Sequence, residues 1–311
     1  FIDIYTPKSE LKVAAYTKLT DLLTTMEDLK ANLLKKSVEF KDILKMGRTE
    51  LEDAVPTTLG NTFEAFATYI DTSIHQISHA RETMKFLNMG ATAIGTGINC
   101  HPDYKHVIEK ELHNITGINY QIANNLIAAT QDTADFVYVS GALKTLAVGL
   151  GEINLPKMQP GSSIMPGKVN PVIAEVVAEA CYEVMGNDVS ITLCAERGEL
   201  ELNAFEPGIA YALFNSICLL ENAINTLSTK AIKDLTANTD ICYNSIMNSI
   251  SIVTALNPYI GYEKSSSIAK EALQTGKAVS EICLERGYLT EKQLTDILNP
   301  KTMLTPHMGT K

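Results

Sequence analysis

Ala15-Tyr-Thr-Lys-Leu-Thr-Asp-Leu-Leu-Thr-Thr-Met-Glu-Asp-Leu-Lys-Ala-Asn-Leu33 carries apolar side chains at 15, 19, 22, 26, 29 and 33. Steps of four and three put them on one face of a helix. The seam continues to Phe40 and Leu44, so one helix is predicted from Lys8 to about Met46, stopped by Gly47. A helix of that length cannot bury its seam within a small globule. It calls for a bundle, and no other stretch of the chain offers a partner seam of matching size, which points to a bundle shared between chains.

Working outward, a second long helix follows the polar connection Gly47–Gly60, with Phe63, Phe66, Ile70, Ile74, Ile77, Met84 and Leu87 on one stripe. Further helical patterns cover Asp132–Leu150, Pro171–Met185 and Pro207–Ala231. No period-two strand of useful length is seen. The fold class expected is all-α: a long-helix bundle over residues 1–256 with a small helical C-terminal domain over 257–311. That second domain is read from short helices alternating with turns at Asn257-Pro258, Gly276, Gly287 and Asn299-Pro300. Phe1–Pro7 reads as irregular and Thr302–Lys311 as loose.

The net charge of −10 over 311 residues argues against a nucleic-acid partner. No apolar run is long enough to span a membrane and no leader is visible. Six cysteines without a Cys-x-x-Cys pair fit reduced thiols in a cytoplasmic protein. His75 and His79 are four apart on a helix, but no third ligand accompanies them, so no metal site is expected. His101, His106 and His113 read as surface or interface residues. Gly90–Asn99 is glycine-rich but follows a helix, whereas a dinucleotide fingerprint must follow a strand.

Between two helical patterns lies Gly161-Ser-Ser-Ile-Met-Pro-Gly-Lys-Val-Asn170. Its spacing fits neither a P-loop, nor a nucleophile elbow, nor a Ser-x-x-Lys pair. Asn170 as N-cap and Pro171 as first helical residue would make it a helix-connecting loop. That is compatible with a binding role. The helix N-terminus, Lys168 and the Asn170 amide together suit an anion, with Ser162 and Ser163 beside it. Glu175, Glu179 and Glu183 line one face of the following helix as a solvated edge, and Glu175 lies one turn from the anion site.

These residues resemble the signature loop of the aspartase/fumarase superfamily, homotetrameric lyases that remove a group beta to a carboxylate. The resemblance extends to Gly47-Arg-Thr through Asp53-Ala-Val-Pro56, to Gly90–Asn99, to Leu202-Asn-Ala-Phe-Glu-Pro207 and to Leu256-Asn-Pro-Tyr-Ile-Gly-Tyr-Glu263. It covers nearly the whole chain. Within the superfamily the resemblance is nearer to the aspartate ammonia-lyases than to the fumarases. Glu50 departs from the Gln or His that relatives carry there. The family's N-terminal domain, about a third of its chain, has no counterpart in this sequence.

The resemblance implies reversible deamination of L-aspartate to fumarate and ammonium through an enediolate-type intermediate, with no organic cofactor. Ser162 would be the general base, held as alkoxide by N–H groups and Lys168 in a mobile loop that closes over the substrate. Lys168 and Asn170 would bind one carboxylate, Ser163 the other, and Thr49 would face the amino end. Glu50 and Glu175 would meet near the loop as a coupled carboxylate pair, favouring ammonium as leaving group. The partners implied are a small dicarboxylate or amino-acid substrate and three further copies sharing active sites. The competing readings are a fumarate hydratase and a non-catalytic truncated subunit. With the family's first third absent, little or no activity is expected of this chain alone.

Overall fold

The computed structural model describes residues 8–153, 159–160 and 169–304. The seam at Ala15, Leu19, Leu22, Met26, Leu29 and Leu33 is fully buried, on helix α1, Lys8–Glu39. The helix stops earlier than Met46, and Gly60 is the reason. Its N–H donates to the Phe40 carbonyl at 3.0 Å, while the Leu59 N–H donates to the Ile43 carbonyl at 2.8 Å. Those bonds occupy carbonyls that would continue α1. A Cβ at residue 60 would lie 2.6 Å from the Ser37 carbonyl oxygen, so only glycine permits this approach.

Gly47–Gly60 is therefore more than a connection. β1, Leu44–Thr49, pairs antiparallel with β2, Glu52–Thr58. Met46 faces Pro56, Arg48 faces Asp53, and the register slips between them, at Gly47. This hairpin corrects the expectation that no strand is present, within the helical fold that was expected.

α2, Leu59–Thr83, follows, then β3, Phe86–Leu87, which pairs with β4, Gln121–Ile122. Between these strands lies α3, Tyr104–Thr116. Beyond β4 come α4, Leu126–Gln131, and α5, Ala134–Leu150. β5, Gln159–Pro160, pairs with β6, Val169–Asn170, and α6, Val172–Glu196, begins two residues later. α7, Glu206–Thr226, runs on into a π-helical turn, Leu227–Ile232. The C-terminal part contains α8, Thr239–Met247, α9, Asn257–Ile260, α10, Tyr262–Thr275, α11, Val279–Glu285, and α12, Glu291–Ile297.

The described chain divides into two compact units. The first takes in residues 8–32 and 66–235, and there α5, α6 and α7 pack on one another. Val139, Leu143 and Leu146 of α5, Val177, Cys181, Val184 and Ile191 of α6, and Ile209, Leu213, Ile217, Leu220 and Ile224 of α7 are all buried. The steps of three, four and seven are those of a helix buried on one stripe. Each such side chain contributes about 1.5–3 kcal/mol. α5 and α6 run antiparallel: the Ser140 hydroxyl donates to Asp188 at 2.7 Å, and Lys144 pairs with the same carboxylate at 2.6 Å.

The second unit joins residues 33–65 to 236–304, around Met46, Ile246, Leu256, Ile268, Ile282 and Cys283. The unit that holds the C-terminal helices takes in the β1–β2 hairpin, and Met46 is part of its core.

Candidate active site

Thr49 and Glu50 sit at the tip of the hairpin and are exposed. Glu50 (φ 51°) and Leu51 (φ 69°) both adopt the left-handed conformation that a tight two-residue hairpin turn requires. Neither is Gly, Asn or Asp, so the turn holds strain of about 1–2 kcal/mol per residue. The base of the tip is fixed by the Arg48–Asp53 ion pair at 2.9 Å. The Ser251 hydroxyl also donates to the Asp53 carbonyl at 2.8 Å. Thr49 thus presents a hydroxyl, and Glu50 a carboxylate, on the exposed tip of the hairpin.

Asn170 lies in β6, opposite Gln159, and is half-buried. Ser162, Ser163 and Lys168 fall between β5 and β6 in sequence and lie outside the described residues. Asn170 does not cap the following helix. Pro171 holds the N-cap position with no side-chain bond, and α6 starts at Val172. Glu175 is exposed in the first turn of α6. The structure thus brings Asn170 and Glu175 to one end of α6, and Thr49 and Glu50 to one hairpin tip. Glu50 belongs to the second compact unit and Glu175 to the first.

Among the described residues no group of three His, Cys, Asp or Glu is placed to hold a metal ion. His79 Nδ1 instead meets the Tyr138 hydroxyl at 2.8 Å. A pocket of about 310 Å³ in the second unit is lined by Ser249, Lys277 and Ser280 among others, and by none of the predicted site residues.

The sequence reading missed a buried polar hub beneath the Leu202–Pro207 motif. Asn203 is almost fully buried. Its amide donates to the Cys194 and Ala195 carbonyls at 3.1 and 3.2 Å and to the Thr133 hydroxyl at 3.2 Å. Its oxygen accepts from the Phe205 N–H at 2.9 Å. One side chain therefore ties together the end of α6 and the starts of α5 and α7. Nearby Glu206 is buried, which raises its carboxyl above the usual range, opposed by Lys8 and Lys12. Lys8 donates to the Ala129 and Asp132 carbonyls. Burial, with Lys12 close by, pulls its ammonium down to about 8. Lys12 pairs with Asp135 at 2.6 Å. Asn88 accepts from the Ser9 hydroxyl at 2.7 Å. The only signal in sequence was polar residues inside apolar helical patterns.

The family profile described as lyase matches residues 6–153 and 148–186, and the profile for the fumarase C C-terminus matches residues 252–305. An aspartate ammonia-lyase of Helicobacter pylori is 53% identical over 96% of this chain and 68% of its own length. An aspartate ammonia-lyase of Escherichia coli is 44% identical over 95% of this chain and 66% of its own. A crystal structure titled fumarate lyase:delta crystallin from Brucella melitensis, bound to cobalt, superposes with a TM-score of 0.90 at 39% identity, covering 96% of this chain and 69% of that one. The chain thus spans about two thirds of each relative. The H. pylori alignment runs over 317 positions while covering 96% of 311 residues, so about 18 positions face no residue of this chain. The E. coli alignment, 313 positions at 95%, leaves about 18 as well. With the helical core, the hairpin and the C-terminal unit all accounted for by these matches, the chain belongs to the lyase family of the aspartase/fumarase superfamily.

Proposed function

We propose that this chain is the core of an ammonia-lyase that interconverts L-aspartate with fumarate and ammonium. The observation that carries the reading is 53% identity with an aspartate ammonia-lyase across nearly the whole chain. Ser162 removes the beta proton of aspartate. That proton is weakly acidic, so the developing dianion needs donors and positive charge at the beta-carboxylate. Lys168 and Asn170 supply them, Ser163 holds the second carboxylate, and Thr49 faces the amino group. The exposure of Thr49 and Glu50 on a braced hairpin tip supports a contact role for both. Glu50 meets Glu175 across the assembled site, and the pair favours a cationic leaving group over water.

The active protein is a homotetramer, and its site is shared between copies. Tyr182, Val189 and Leu193 lie on one face of α6 and are more than half exposed. An open apolar face supports association. No helix among the described residues is long and apolar enough to cross a membrane, and we place the protein in the cytoplasm. Light scattering tests the assembly. A stable monomer at micromolar concentration would refute it.

A further inference from the structure

The last turn of α5 is closed in an unusual way. The hydroxyl of Tyr69, from α2, donates to the Thr145 carbonyl and accepts from the Gly149 N–H at 3.0 Å. In an uninterrupted helix those two groups, four residues apart, bond to each other. The hydroxyl therefore sits within the helix's own row of hydrogen bonds. Residue 149 must be glycine for this. A Cβ there would stand 1.9 Å from the Tyr69 ring carbon that bears the hydroxyl. One residue after Leu150, the Gly151 N–H turns back to the Ala147 and Gly149 carbonyls and ends the helix.

A second observation falls at the same place. The lyase profile does not match the chain in one piece: one match ends at residue 153 and the next begins at 148. The two matches overlap on the chain at 148–153. The alignments with relatives carry a surplus of about 18 positions, which as helix would be about 27 Å long. We infer that residues 148–153 are the seam of an internal gap of about 18 residues relative to the family, and that Tyr69 with Gly149 closes the helix the gap has left short. The connection from α5 to α6, which carries Ser162 and Lys168 in its sequence, is correspondingly shorter than in relatives.

The inference rests on family membership and the α5 geometry, independent of the substrate proposed above. Its test compares the full chain with a restored chain, in which the H. pylori segment facing the gap is inserted after Leu150. Tyr69→Phe is made in both, and amide hydrogen exchange is read at Gly149 by NMR. In the parent chain, Tyr69→Phe should speed Gly149 exchange about tenfold, the loss of one partly buried hydrogen bond. In the restored chain it should change exchange less than twofold, and the restored chain should melt at a higher temperature. No effect in the parent, the same effect in both, or a restored chain that melts lower would each overturn the inference. If the restored chain does not fold, Gly149→Ala in the parent decides. It must expel Tyr69 and reproduce the faster exchange at residue 149, and unchanged exchange there overturns the proposal.

Discussion

Replacing Asn203 by alanine probes how the first unit is held together. The side chain offers two N–H donors to three acceptors and one carbonyl to the Phe205 N–H, all in a nearly water-free setting. Truncation leaves the Phe205 N–H without an acceptor, at a cost of about 1–3 kcal/mol. Loss of the bonds to the two α6 carbonyls adds about 0.5–1.5 kcal/mol each. The total expected is about 4 kcal/mol, within a range of about 2–6. For a unit of this size that lowers the melting midpoint by roughly 8–16 °C. Asn203→Asp keeps an acceptor for Phe205 and should fall between parent and alanine. Thermal unfolding by far-UV circular dichroism reads all three. An Asn203→Ala loss below about 1 kcal/mol, a typical surface substitution, would mean that α5, α6 and α7 are not fastened through this residue.

Ser162→Ala in the assembled enzyme should lower turnover by about 10²–10⁴, the usual worth of a general base; activity within threefold of the parent would remove Ser162 from that role. Lys8 has a folded-state value of about 8 against 10.5 unfolded, so between those values the unfolded chain binds more protons and stability rises with pH. The gain over Lys8→Met across that window should be no more than about 3 kcal/mol, and parallel stability curves for the two proteins would contradict it. Glu50→Gln should weaken aspartate binding and alter the pH profile of turnover. An unchanged Michaelis constant together with an unchanged profile would make Glu50 an ordinary surface acid.

The helices were legible because their apolar steps are regular: Ala15 through Leu33, and Val139 through Leu146, are buried as the spacing required. The hairpin was hidden for a definite reason. Its turn uses Glu50 and Leu51 in left-handed conformations, where Asn-Gly or Asp-Gly would have announced it. The end of α1 was misjudged because Gly60, distant in sequence, competes for its carbonyls. Met46 joins a core built mostly from residues beyond 245, a long-range contact that no local pattern reports. The candidate site was read from the chemistry of the 161–170 stretch and from resemblance. Thr49 and Glu50 carry no periodic signal, and the hub at Asn203 and Glu206 looks in sequence like an ordinary polar turn.

The central claim is that the serine loop works on an amino-acid substrate. The direct measurement supplies the remaining N-terminal third of the H. pylori relative as a separate chain, assembles it with this one, and adds fumarate with ammonium. NMR of the product then distinguishes the chemistry. The account predicts aspartate, and no aspartate when this chain carries Ser162→Ala. Malate as the product, or aspartate formed equally well by the Ser162→Ala chain, would contradict it.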